Sequence, residues 1–249
     1  MSFTGRFTDR AGDYVSGRPS YPAEAVDVLL DGLGDPADVV VADLGAGTGI
    51  SSRLLADRGA QVLAIEPNDA MRAAAEPHPR VEWIAASAER TGLGEASVDL
   101  AAVFQAFHWF DHRAALDEIV RIVRPGGRAA IVYNERDERD PFTAAYGDLV
   151  RAYQTDETER RRADGLELFT AFEAWKTKRR VEVRNEHELD LDGVLARARS
   201  TSYLPKDGPA AEALHAAVRA LVERFAEDGR VVMVMRTIVV ACDIGTAGG

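Results

Sequence analysis

Apolar residues recur along this chain in two rhythms. Short apolar runs at Val39-Val40-Val41, Gln61-Val62-Leu63-Ala64-Ile65, 81–85, 98–104 and 129–133 have the length and composition of buried strands. Between them, apolar positions fall at helical spacing. Over 113–123, Leu116, Ile119, Val120 and Val123 stand at i, i+3, i+4 and i+7, and Pro125-Gly126-Gly127 ends the run. Helices are also expected over 23–30, ending at Gly32 and Gly34, over 51–57, ending at Gly59, and around Met71. Strand and helix in alternation imply parallel strands joined by right-handed crossovers, with ligands above the carboxyl ends of the strands.

After the fifth strand the alternation lapses. Residues 136–180 are charged and helical in character, with an exposed polar run over 155–164. Two readings stand: a helical insertion over the site, or a solvated pair of surface helices. A sixth strand is expected at 181–184, a helix over 210–227 stopped by Asp228-Gly229, and a last strand over 231–241.

The first strand runs into Asp43-Leu44-Gly45-Ala46-Gly47-Thr48-Gly49, a loop with glycine at alternate positions, where the backbone can turn sharply and approach a ligand closely. A dinucleotide loop also uses closely spaced glycines after a first strand, so the glycines alone do not name the ligand. Asp43 repels a pyrophosphate and suits an ammonium group, or orders the turn. Glu66 ends the second strand about 20 residues beyond the loop, the distance at which an acidic side chain accepts hydrogen bonds from a ribose. Together they describe a ligand with a ribose and a cationic amino acid moiety.

On these residues the chain resembles the class I methyltransferases that use S-adenosyl-L-methionine and release S-adenosyl-L-homocysteine. The likeness continues over residues 35–135: Glu66-Pro67-Asn68 with Met71 resembles the ribose-binding strand end and its helix. Ser87-Ala88-Glu89 resembles the adenine-contacting turn, Gln105 to Phe110 the active-site edge of the fourth strand, and Arg124-Pro125-Gly126-Gly127 the turn before the fifth. It implies a Rossmann-like α/β fold with seven strands, mostly parallel, the seventh antiparallel, and helices on both faces. One domain is expected: an N-terminal arm and helix (1–34), the cofactor core (35–135), the helical insertion (136–180) and the C-terminal strands and helices (181–249). Asp43, Gly45, Ala46, Gly47, Glu66, Pro67, Met71, Ser87, Ala88, Glu89 and Gln105 then hold the cofactor. A narrower likeness, carried by residues 14–22 and Gln105-Ala106-Phe107-His108-Trp109-Phe110, is to the small-molecule group that includes the trans-aconitate methyltransferases. It lays Tyr14 and Arg18 over the cofactor, with Arg18 paired to its carboxylate.

Composition narrows the acceptor. A net charge of −11 leaves little surface for a polyanion, which argues for a small molecule and against nucleic acid. The basic runs Arg160-Arg161-Arg162 and 176–180 are flanked by acids and read as solvated helix faces. Cys242 is the sole cysteine, which excludes a disulfide within the chain or a thiolate metal cluster, and no metal is expected. The apolar stretch Val231–Ile244 is too short to span a membrane and contains Arg236; a cytoplasmic protein is expected.

Methyl transfer to oxygen is the expected reaction. A carboxylate acceptor needs no base, whereas a hydroxyl must lose a proton, for which His108 is the candidate catalytic residue unless it only orients the acceptor. Tyr21, Phe107, His108, Trp109, Tyr133 and Asn134 are expected around the acceptor; the resemblance to the trans-aconitate methyltransferases, if it extends to the substrate, further implies a basic clamp for the acceptor's carboxylates, with Arg236 or an arginine of the insertion as the candidate. Asp111 reads as an N-cap. Two alternatives stay open: a nucleotide-dependent oxidoreductase, disfavoured by Asp43 and by the lack of a Tyr-x-x-x-Lys pair, and a noncatalytic S-adenosylmethionine-binding protein.

Overall fold

The computed structural model describes residues 20–245. Strands β1 (Val40–Leu44), β2 (Gln61–Ile65), β3 (Val81–Ile84), β4 (Val98–Phe104), β5 (Val123–Arg136), β6 (Trp175–Leu189) and β7 (Val231–Ile244) form one sheet in the order β3-β2-β1-β4-β5-β7-β6. Neighbours among β1 to β5 are parallel, and β7 lies antiparallel to both β5 and β6. The strand order reverses at β1, between β2 and β4, and ligands of open parallel sheets sit at such a point.

Both faces of the sheet are covered, which is why its central strands read as continuous apolar runs. Along β4, Ala101 and Val103 enter one core with Leu116 and Ile119 of α4 (His112–Ile122) and Phe169 of α6 (Thr158–Ala171). Leu100 and Ala102 enter the other, with Leu29 of α1 (Ala23–Leu30) and Leu55 of α2 (Ile50–Asp57). Each fully buried leucine or isoleucine contributes roughly 1.5–3 kcal/mol. A third apolar cluster joins α5 (Pro141–Tyr153), α7 (Leu191–Ser200) and α8 (Gly208–Phe225) through Phe142, Val194, Leu214 and Val218 to Met233 of β7. No helix among the described residues is long and apolar enough to cross a membrane.

Several elements depart from the expected pattern. The helix of 113–123 is present as α4, capped at its start by Asp111, whose side chain accepts from the Ala114 N–H. The chain then enters β5 directly, six residues earlier than expected, and Pro125-Gly126-Gly127 lies inside that strand. The register with β4 shifts between Val98 and Leu100, and a Cβ on Gly127 would lie 2.7 Å from both the Asp99 carbonyl and Val123 Cγ1. Glycine is needed there for close approach of two backbones. β6 begins at Trp175, so the basic run over 176–180 is strand and not a helix face. It forms one edge of the sheet, pairing only with β7, and its charged side chains deter pairing by another chain.

The polar run over 155–164 is not uniformly exposed: Thr158 is buried and Glu159 points inward to Arg136. α7 went unread in the sequence, although Leu191, Val194, Leu195 and Ala198 carry the i, i+3, i+4, i+7 signature. Replacing Gly127 with alanine is expected to cost about 2 kcal/mol by forcing β4 and β5 apart. Urea denaturation of the variant measures this, and an unchanged midpoint would contradict the close approach.

Candidate active site

The turn from β1 into α2 is held in place before any ligand is considered. Gly45, Gly47 and Gly49 have φ of +71°, +59° and +78°, the left-handed region that side chains disfavour. A Cβ on Gly45 would meet Ala106 Cβ at 2.8 Å, and one on Gly49 would meet the Trp83 ring at 2.8 Å. The Gly45 and Ala46 N–H groups both donate to the Ile65 carbonyl at the end of β2. Glu66 completes the clasp: Oε2 accepts from the Gly47 N–H and Oε1 from the Asn68 N–H, each at 2.9 Å. Burial raises its pKa, and these two backbone donors oppose the rise.

Asp43 lies fully buried under the loop. Its Oδ2 accepts from Ser51 Oγ (2.7 Å) and Ser52 Oγ (2.6 Å), both on α2, while Oδ1 is buried with no hydrogen-bond partner. Burial pushes this carboxyl up to about 6, against the two serine hydroxyls. Thr48 Oγ1 is likewise buried and unpartnered. A buried acceptor without a donor is costly and suits a cationic donor such as an ammonium group. The sequence did not single out Ser51 and Ser52, although two adjacent hydroxyls opening the helix after a loop aspartate are a readable signal.

The other residues expected around a cofactor surround this loop unevenly. Met71 is buried on α3 (Asp69–Ala73), which Asn68 caps, and Pro67 is exposed between them. Ala88 is buried in the core, Ser87 bridges to Arg90, and Glu89 accepts from the Asp111 N–H at 3.0 Å, tying the turn after β3 to the one after β4. Gln105 ends β4 at φ +54°, a strained conformation of the kind found at ligand sites, and its Nε2 donates to the Asn134 carbonyl. Tyr14 and Arg18 lie outside the described residues.

A cavity opens from this loop across the ends of β4 and β5. Of the expected residues it brings together Tyr21, Gly45, Ala46, Gln105, His108, Trp109 and Asn134. Tyr21 packs edge-on against Phe104 at 4.8 Å between ring centroids. Phe107 is not on the wall: it is fully buried against Phe110, His112 and Phe169, because the short turn over 107–109 directs it into the core. Tyr133 is also absent from the wall. Its hydroxyl faces His108 Nδ1 at 3.5 Å, and burial raises its pKa, so it keeps its proton. Arg236 is engaged elsewhere, with Glu182 at 3.1 Å and Glu135 at 3.7 Å.

The far wall holds residues that the sequence did not mark: Arg136, Tyr146, Glu159, Arg197 and Tyr203, along with Arg162 of the expected insertion. Arg136 shares a face of β5 with Asn134 two residues earlier, a strand periodicity that would have found it. Arg197 comes from the unread α7.

Residues 42–131 match the family model described as a methyltransferase domain. Over this segment the chain is therefore similar to methyltransferase domains. Its relatives include an uncharacterized methyltransferase of Mycobacterium bovis, 41% identical over 148 residues and 58% of each chain. The demethylmenaquinone methyltransferase of Beutenbergia cavernae is 33% identical over 51% of this chain and 53% of its own. The chain thus spans little more than half the length of these curated relatives. A solved structure from Anaeromyxobacter dehalogenans, provisionally named a type II methyltransferase, is 28% identical with a TM-score of 0.68, over 92% of this chain and 99% of that one.

The buried Asp43 generates a pH prediction. A carboxyl that titrates at about 6 must be ionised to pair with an ammonium group, so S-adenosylhomocysteine affinity should be level above that pH and weaken by up to about tenfold per unit below it. Asp43→Asn should bind more weakly at pH 8 and lose the acid dependence. In the free protein the sign is opposite: this group's contribution to stability is lost as pH rises from 3.8 to about 6. Calorimetric titration across pH 5–8 checks the affinity, and a wild-type affinity independent of pH would remove Asp43 from the site.

Proposed function

We propose that the chain is an S-adenosylmethionine-dependent methyltransferase acting on a small molecule, at oxygen. The observation that carries this reading is one cavity running from the Gly45-Ala46 loop, above the buried Asp43, past Gln105 and His108 to a polar far wall. Asp43, with Ser51 and Ser52, would hold the amino group of the cofactor, and Glu66, with Gly47, would meet its ribose. Met71, Ala88 and Glu89 would border its base. When bound, S-adenosylmethionine supplies an electrophilic methyl group on a sulfonium centre.

The chain's part in the reaction is positioning. An in-line displacement requires the acceptor atom about 3 Å from the methyl carbon with water excluded. Gln105, held at its backbone by Val132 and at its side chain by Asn134, fixes the edge of β4 where the two ligands would meet. Trp109 and Tyr21 supply apolar walls. The arginines on the far wall disfavour an acceptor amine, which is a cation at neutral pH, and so favour oxygen over nitrogen. The helical segment α5–α6 contributes part of that wall, which supports reading it as an insertion over the site. The narrower likeness to the trans-aconitate methyltransferases rests on the sequence of residues 14–22 and 105–110 alone.

His108 serves as a donor that orients the acceptor. The Tyr133 hydroxyl keeps its proton and lies 3.5 Å from His108 Nδ1; in the tautomer with the ring hydrogen on Nε2, that edge would present a donor to the acceptor. His108→Asn is expected to lower kcat by roughly tenfold to a hundredfold with an unchanged pH–rate profile. Loss of an acidic limb near neutrality in the variant would make His108 the base instead.

The function itself is tested by titrating the purified protein with S-adenosylhomocysteine and, in parallel, NADH. Micromolar binding of the first and none of the second is expected, whereas the reverse would restore the dinucleotide reading.

A further inference from the structure

The far end of the cavity is distinguished by its charge. Among the described residues, three guanidinium groups, Arg136 from β5, Arg162 from α6 and Arg197 from α7, line it against one carboxylate, Glu159. In a chain of net charge −11 this is a local inversion of sign. Glu159 is already spoken for. It pairs with Arg136 and accepts from the Tyr203 hydroxyl at 3.3 Å. Burial opposes its charge, yet Arg136 holds its pKa below the ordinary value. Arg162 lies over the Tyr133 ring at 5.5 Å and reaches Glu135 only at 3.7 Å. Arg197 reaches the cavity from α7, with its Nη2 3.6 Å from the Met235 sulfur.

Tyr146 supplies a second, independent sign. It is 2% exposed on α5, lines the same cavity, and its hydroxyl is buried with no hydrogen-bond partner. A buried hydroxyl without an acceptor, within the field of Arg136 and Arg197, is a donor awaiting an anion. No lysine stands on this wall. The planar guanidinium fork matches the paired oxygens of a carboxylate or phosphate, and low-dielectric walls focus its field on an incoming anion.

Building on the methyltransferase reading, we propose that this wall is an oxyanion subsite. The acceptor carries a carboxylate or phosphate group that Arg197, Arg162 and the Tyr146 hydroxyl hold, so that its methylatable oxygen lies beside His108 at the other end of the cavity. All three residues lie outside the segment 42–131 matched by the methyltransferase family model, so the helices after β5 would choose the acceptor while the core holds the cofactor.

The test is calorimetric titration of the protein saturated with S-adenosylhomocysteine, using succinate, inorganic phosphate and the uncharged succinamide as probes. Binding of either anion, with succinamide inert, is expected; succinate alone would identify a carboxylate acceptor, and phosphate alone a phosphorylated one. Arg197→Gln should weaken anion binding about tenfold or more, and Tyr146→Phe severalfold, with S-adenosylhomocysteine affinity and circular dichroism unchanged. Should Arg197→Gln fail to fold, Arg162→Gln and Tyr146→Phe carry the same comparison. The proposal is overturned if neither anion binds at tens of millimolar, if succinamide binds equally well, or if the folded variants bind anions as the wild type does. Anion binding that persists in a protein unable to bind S-adenosylhomocysteine would uphold the subsite and sink the methyltransferase reading.

Discussion

The structure turns on the clasp between the ends of β1 and β2. A loop with three left-handed glycines has little intrinsic reason to keep one shape, because each glycine loses much conformational freedom when ordered. Its shape is imposed by donors and acceptors that flank it. The Ile65 carbonyl takes two loop N–H groups, Glu66 takes a third, and Asp43 anchors the first turn of α2 from beneath through Ser51 and Ser52. Because β1 and β2 are neighbours in the sheet, their register sets the distance between Asp43 and Glu66. Burial raises the pKa of both carboxyl groups, and the charge of Glu66 adds to the rise at Asp43.

The rest of the molecule divides its labour around this clasp. The parallel strands and the helices packed on both faces make a rigid platform whose carboxyl ends carry the loop, Gln105 and Asn134. The antiparallel β7 lets the chain return between β5 and β6, and the third apolar cluster packs α5, α7 and α8 against it. That packing carries Tyr146 and Arg197 to the cavity from positions far apart in the chain. The two ends of the cavity therefore differ: the glycine loop borders one, and arginines stand on the opposite wall.

The glycine loop and its flanking carboxylates were legible because their contacts are local. Asp43, the glycines and Glu66 lie within 24 residues, at strand ends that hydrophobic runs mark clearly. The far wall of the cavity was not. Phe107 looked like a pocket residue because it stands beside His108, yet a single short turn sends one side chain inward to Phe169 and the next to the cavity. Arg236 looked available as a clamp, but register with β5 sets it opposite Glu135, and its guanidinium pairs with Glu182 of β6. Arg136, Arg162 and Arg197 were indistinguishable by composition from the many other arginines, since each earns its place only through the packing of a different element.

The sequence by itself determined the parallel α/β core, the glycine loop with its two flanking carboxylates and the N-cap at Asp111, because strand runs, glycine conformations and caps are encoded by near neighbours. Tertiary structure alone decided that the 176–180 basic run is an edge strand, that α7 joins the cavity, and that three arginines and a buried tyrosine share one wall. Those outcomes depend on sheet pairing and on helix packing between residues far apart in the chain, as Arg128 and Asp243 are, and hydrophobic burial, which drives such packing, is indifferent to the distance along the chain.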